Sequence, residues 1–416
     1  MIDPKLDAKL IPEGLDRCSF GKFLLWIGFL SLFVIWGVIA AVYILWKGLG
    51  VTNLNNYFGF GLWITVDLAV IALGAGAFFS GFLRYILGIE ELKNVINLAV
   101  IIGFLCYSGA IMILALDIGQ PLRAWFGYWH PNVHSMLTEV IFCITCYLIV
   151  LTIEYTPIIL ENPCLNRRPF LHYLGHNFHI FMPLFAAIGT FLSFFHQGSL
   201  GGMYGVLFGR PFALRDGIFI WPWTFFLFVL SAVASGPSFL LLILLVIEKF
   251  GKKKLVDFKV KSLLGKISGF MLSIYLFFKI IDTVAWAKDL LPKLGFTFDQ
   301  MYNQVYGQWL LWTEIGICGV LPAILLMISY FREKPPVLYF AAFLTCVGVV
   351  LNRFVFTVQT LAIPVMPFDK WFTYVPNWTE WATTCMMIAI GAIVISLSYR
   401  YLPLFPQEKV LNQGKK

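Results

Sequence analysis

The chain has 416 residues, 60% of them apolar and only 12% charged, with a mean hydropathy of +0.83. A soluble domain carries about 25% charge, so the apolar surplus must face lipid, and the fold expected is an all-α polytopic membrane protein. The net charge of +8 does not point to nucleic acid, because the 30 basic residues are scattered through short loops between apolar runs.

The opening MIDPKLDAKLIPEGLDRCSFGK is mixed in charge, and no small-residue cleavage site follows its apolar run. It reads as a tail rather than a signal peptide, with the first helix as its own insertion signal. About 20 apolar residues cross a bilayer. Such runs fall at 23–46, 59–83, 94–116, 134–158, 177–196, 221–247, 265–287, 308–330, 336–360 and 379–400, which predicts about ten spans. Segments on the side of the two termini hold 21 Lys and Arg, opposite loops hold 7, and Lys279 and Arg353 lie inside spans. The positive-inside rule therefore predicts cytoplasmic N- and C-termini. The loop GKKKLVDFKVK at 251–261 reads as a solvated anchor.

The opposite loops at 117–133, 196–222, 288–307 and 361–378 are long, aromatic and poor in charge. They fit an interfacial aromatic belt and a docking surface for an extrinsic partner. A weak repeat sets LTE ending at Glu139 in helix 4 against WTE ending at Glu314 in helix 8. It predicts two parallel four-helix bundles, 59–196 and 221–360, in a single membrane domain. Helix 1 with its loop (23–58) and helix 10 (379–400) would flank them. A third triplet, WTE ending at Glu380, keeps chance open as the origin of the repeat. Cys143 and Cys146 form a lone CxxC in an apolar run, which reads as packing.

Charged groups inside a span are costly and usually face the protein interior. Here they are Asp67, Glu139, Glu154, Lys279, Asp282, Glu314 and Arg353, with Glu248 at an inner helix end and Tyr107, Asp117 and His196 near outer ends. Structural pairing is one reading: Lys279 and Asp282 are one turn apart, and Arg353 has Glu314 or Glu139 within reach. The six histidines lie in loops or at span ends, so a metal or a bis-histidine b-haem between helix interiors is not expected, with His134 and His196 the one pair left open for a haem. An acid, a tyrosine, a histidine and an arginine under an aromatic roof suit a quinone head group, which needs hydrogen-bond donors and two protons. A secondary transporter with an intramembrane polar site is the alternative. The off-centre cluster and the lack of a helix plainly broken at the midplane count against it.

The segments YFGFGLWITVDLAVIALGAGAFFSG, LDIGQPLRAWFGYWHPNVHSMLTEVIFCITCYLIVLTIEYTP, FLSFFHQGSLGGMYG and YVPNWTEWATT…YRYLPLFP resemble the NrfD/polysulfide-reductase membrane-subunit family over nearly the whole chain. The likeness is strongest to membrane subunits of menaquinone-reducing complexes. It implies a multi-pass protein of the bacterial inner membrane that binds menaquinone near the outer face, with no haem or iron–sulfur cluster of its own. The implied partners are a periplasmic iron–sulfur subunit, a molybdopterin-type subunit and a multihaem cytochrome c, the ultimate electron source. Carried over, the quinone and proton positions fall on Asp67, Tyr107, Glu139, Glu154, His196, Glu248 and Arg353. Related chains read DVGR after helix 3 where this one reads DIGQ, so Gln120 removes a charge there. Quinone binding is thus expected at Asp67, Tyr107, Asp117 and His196, with Glu139 and Arg353 also in the catalytic group. Protons are expected to pass along Glu139, Glu154, Glu248, Asp282 and Glu314, with uptake from the cytoplasm.

Overall fold

Every apolar run predicted to span a membrane is largely helical. The computed structural model describes residues 4–205, 217–218, 221–293, 295–302, 306–362 and 370–412. In chain order the spans are α1 (Phe20–Lys47), α2 (Leu62–Ile86), α3 (Ile96–Asp117) and α4 (Met136–Leu160), then α5 (Met182–Gly205) and α6 (Trp223–Gly251). They continue with α7 (Phe258–Lys293), α8 (Trp309–Met327), α9 (Pro335–Ala362) and α10 (Trp378–Tyr401). Among the described residues nine are long and apolar enough to cross a bilayer alone; α5 makes the tenth together with the short helix Pro169–Ile180, from which it bends by 59°. A two-residue ladder, Gly217–Ile218 against Trp221–Pro222, is the one sheet among the described residues.

Helices α2 to α5 pack on one another as the first bundle and α6 to α9 as the second, while α1 and α10 pair at the side. The bundles meet through α2, α5, α6 and α9. At one crossing glycine meets glycine: a Cβ on Gly76 would lie 2.7 Å from the Gly236 carbonyl oxygen. In lipid there is little hydrophobic drive between helices, so such close backbone approach supplies the packing energy.

Three details differ from expectation. His196, predicted to close helix 5, lies inside α5, which continues through QGSLGG to Gly205. Small residues are needed there because α6 packs tightly: a Cβ on Gly198 would strike the Phe225 ring, and one on Gly201 the Thr224 carbonyl oxygen. The predicted start at 177 falls in the separate short helix, with Phe181 as the break. Finally, α2 loses α-helical bonding at Ala75, between Gly74 and Gly76, and α8 is π-helical over Thr313–Val320. Both interruptions lie within spans read from sequence as continuous. Parts of the predicted outer loops, 206–216, 219–220, 303–305 and 363–369, lie outside the described residues.

Both chain ends meet on one face, called here the terminal face. Asp7 accepts from Arg400 Nε at 2.8 Å and Nη2 at 2.6 Å and from the Tyr401 hydroxyl at 2.7 Å. Arg17 binds Glu408 at 2.5 and 3.1 Å.

Candidate functional site

The spans are too apolar for their sequences to show which face turns inward, so the polar partners become visible only in three dimensions. In the first bundle, Tyr107 of α3 is fully buried and its hydroxyl shares a 2.7 Å hydrogen bond with Ser193 of α5. Its ring meets Tyr147 of α4 edge-on at 4.6 Å and the His196 imidazole at 5.6 Å. His196 stands one turn nearer the distal face than Ser193, against the backbone of Val140, and is fully buried. Neither imidazole nitrogen makes a hydrogen bond of standard geometry, and the same holds for the Tyr147 hydroxyl and the Gln197 amide. Glu139, the neighbour of Val140, is half-buried at the distal end of α4.

Towards the terminal face the line continues. Glu154, buried, lies two turns beyond Tyr147 on α4 and acts electrostatically on it. The two share the wall of a small cavity with Tyr85, Asn97 and Ala186 that holds about one water. The result is a polar file through the apolar bundle: His196, Tyr107 with Ser193, Tyr147, Glu154.

Asp67 and Asp117 occupy a separate position. Asp67 is buried, with Oδ1 unbonded, and interacts with Asp117, whose Oδ1 is also unbonded. Asp117 in turn feels Glu380. These acids lie nearer the distal face than Tyr107: Asp67 is two turns of α2 beyond Gly74, which packs on Cys106 and Tyr107, and Asp117 is ten residues beyond Tyr107, about 15 Å of rise. Glu380 has a structural task. With Asn377 it forms a capping box, and its carboxylate accepts from the Tyr374 hydroxyl and the Asn53 amide, which ties the two distal loops to α10. Burial and the Glu380 carboxylate push the Tyr374 phenol well up, so it remains a donor.

Arg353 does not join this group. It lies in the second bundle, fully buried, donating to Asn352 Oδ1 at 2.6 Å and Ser231 Oγ at 2.9 Å, with its guanidinium 3.7 Å from the Phe228 ring centre. Asn352 donates to Glu314 Oε1 at 2.8 Å and to the Tyr275 hydroxyl at 3.2 Å. Lys279 completes the network with a buried ion pair to Glu314. Asp282, one turn on, also acts on the lysine's charge. Lys279 thus reaches across to α8, where sequence spacing offered only the neighbour on its own helix. Glu314 projects from the π-helical stretch, an irregularity often found at special sites.

Glu248 holds a loop. Its carboxylate accepts from the Leu255 amide at 2.8 Å and the Val256 amide at 3.2 Å and pairs with Lys261, fixing the turn from α6 to α7. Sequence reasoning missed Ser193, Tyr147, Gln197, Ser231 and Asn352. The one available signal was spacing: Ser193 lies three residues before His196 and four before Gln197, and Tyr147 lies seven residues before Glu154, all same-face separations.

Comparison with known proteins fits this architecture. The family profile described as "Polysulphide reductase, NrfD" matches residues 50–364. The chain is 64% identical over 410 residues, 98% of both chains, to the menaquinone reductase integral membrane subunit of Nitratidesulfovibrio vulgaris. It is 23% identical to a selenate reductase subunit of Mesobacillus selenatarsenatis, covering 92% of this chain and 95% of the other. It is likewise 23% identical to the probable Ni/Fe-hydrogenase 2 b-type cytochrome subunit of Escherichia coli, covering 87% and 88%. With a profile matched across all the spans of both bundles and a relative this similar along its whole length, the chain belongs to the polysulphide reductase NrfD family.

Proposed function

We propose that the chain is the quinone-binding membrane subunit of a respiratory oxidoreductase and that the first bundle holds the quinone head group. The observation that carries this reading is the buried His196–Tyr107 pair: an imidazole whose nitrogens make no hydrogen bond of standard geometry, beside a phenol, in a lipid-embedded bundle where unsatisfied polar groups are costly. A quinone carbonyl is an acceptor that such donors would satisfy. The 64% identical relative is named a menaquinone reductase subunit, which makes menaquinone the substrate of choice. In this reading Asp67 and Asp117 line the approach from the distal face, and Glu139 stands beside His196.

Reduction consumes two electrons and two protons per quinone. The distal face is the periplasmic side of a bacterial inner membrane, and the termini are cytoplasmic, by the 21-to-7 basic asymmetry. The electrons enter from an iron–sulfur subunit docked on the distal loops, which in turn is served by a molybdopterin-type subunit and a multihaem cytochrome c. The chain itself holds no haem or cluster in this proposal. The protons enter from the cytoplasmic side along Glu154, Tyr147 and Tyr107. Glu154 is 15 residues from Glu139, about 22 Å along α4. Asp282, Glu314 and Arg353 belong to a separate network in the second bundle, and Glu248 to its terminal edge; a role for Glu248 and Arg353 rests on the family resemblance, and a proton role for Asp282 and Glu314 on their being ionisable groups inside spans.

The experiment uses the complex in proteoliposomes, with donor cytochrome outside and menaquinone in the bilayer. Turnover should generate a membrane potential, since electrons and protons then reach the quinone from opposite sides, worth about 2.3 kcal/mol per charge per 100 mV. Turnover without a potential would mean periplasmic protons and a structural Glu154. No quinone reduction at all would sink the substrate assignment.

A further inference from the structure

A second surface stands out away from the bundle cores. The helix Pro169–Ile180 meets α5 at 59°, so it is turned well away from the direction of that span. It carries His172, His176 and His179, all exposed. Separations of four and seven residues, at 100° per residue, set the three imidazoles within about 60° of one another on one face. Asn166 Oδ1 holds His172 Nδ1 at 2.7 Å, leaving Nε2 for an outside partner. Arg167 and Arg168, both exposed, immediately precede the helix.

The other faces have different tasks. Leu171, Leu174 and Phe178 are half-buried, and Gly175 abuts Leu160 at the end of α4. Phe170, Tyr173 and Ile180 are 76%, 68% and 59% exposed, an apolar flank that only lipid would cover without cost. A packed face, an apolar flank and a basic row on one short helix is the pattern of an interfacial amphipathic helix. The charges around it are basic in balance. The Cys164 thiol meets the Lys9 carbonyl at 3.5 Å, bringing the N-terminal segment alongside. Glu161, at the end of α4, is the carboxylate that faces His179.

We propose that this helix is a binding surface for the phosphate headgroups of anionic phospholipids. Arg167 and Arg168 would take the phosphate through paired N–H donors, His176 and His179 would add N–H donors along the headgroup plane and His172 would do so as imidazolium, and Phe170, Tyr173 and Ile180 would lie against the acyl chains. Basic residues beside membrane helices attract anionic lipid in this way.

The test places the full-length protein, with its copurifying subunits, in phosphatidylcholine vesicles. Electron paramagnetic resonance then measures the association of spin-labelled phosphatidylglycerol relative to spin-labelled phosphatidylcholine. Wild type should prefer phosphatidylglycerol. Replacing Arg167, Arg168, His172, His176 and His179 together by Gln should reduce the preference at least about threefold. The milder R167Q/R168Q variant alters only exposed loop residues, guards against misfolding, and should show part of the same loss. An unchanged preference in both variants overturns the proposal. So does loss of the wild-type preference on exchanging chloride for inorganic phosphate at matched ionic strength, which would assign the surface to free phosphate.

Discussion

The two bundles treat their buried polar side chains differently. In the second, Lys279, Glu314, Asn352, Tyr275, Arg353 and Ser231 bond one to the next across α6, α7, α8 and α9. In the first, the His196 nitrogens, the Tyr147 hydroxyl, the Gln197 amide and one oxygen each of Asp67 and Asp117 have no hydrogen bond of standard geometry. A buried polar group in an apolar medium costs free energy until something satisfies it. Side chains that each bond a neighbour are explained by architecture, even where single atoms such as Glu314 Oε2 and Arg353 Nε have no bond of standard geometry, whereas an imidazole and an amide with none at either polar atom call for a ligand or a moving proton. On the proposed function, the first bundle would carry the chemistry and the second cohesion.

The largest effect that separates them is expected at His196. His196→Ala should lower menaquinone reduction on the order of 100-fold, the scale on which a positioned proton donor acts, while the complex still assembles. Wild-type turnover in assembled His196→Ala complex would remove the imidazole from the mechanism. Next comes the second bundle. Lys279→Met alone leaves Glu314 buried without its ion-pair partner and should destabilise the protein by about 3–5 kcal/mol, read as loss of folded material in thermal denaturation. Adding Glu314→Gln removes the stranded charge and keeps an acceptor for Asn352, so the double variant should recover most of that stability. If the double variant assembles fully yet does not turn over, the second bundle carries chemistry after all.

How much of this was legible beforehand differs for the same reason. All ten spans follow from length and apolarity, and the costly residues announce themselves by charge, which is why Asp67, Glu139, Glu154, Lys279 and Glu314 stand out in the bare sequence. Partnership between helices does not, because it depends on the rotation of each helix, and helices apolar on every side give no face to read. Ser193 looks like any small residue in a span, yet it holds the Tyr107 hydroxyl. Arg353 appeared to belong with His196, since both sit towards the distal ends of helices running the same way; the bundle boundary separates them. The extension of α5 through QGSLGG was hidden by glycine's poor helix propensity, which close contact with α6 overrides.

A smaller effect is expected from Glu154→Gln. It should slow turnover several-fold with quinone affinity unchanged, since the proposed function puts the carboxyl on the proton route and away from the head group. Equal rates for wild type and variant would shorten the file to Tyr107 and Tyr147. Smallest is the clamp between the chain ends. Hydrogen bonds from Arg400 hold the Asp7 carboxyl below its ordinary 3.8, so the clamp's contribution is present above that value and is lost as the pH falls through the depressed one. The melting temperatures of wild type and Asp7→Asn should therefore differ at pH 6 and converge as the pH drops below about 4. A difference that persists into strong acid would contradict the ionised clamp.

The division between the bundles is most directly tested by locating the quinone. A photoactivatable azido-menaquinone, irradiated in the assembled complex and mapped by peptide mass spectrometry, should label α3 around Tyr107 and α5 around His196, with unmodified menaquinone competing the label away. Competable labelling confined to α7, α8 and α9 around Lys279, Glu314 and Asn352 would put the substrate in the closed network and contradict the account.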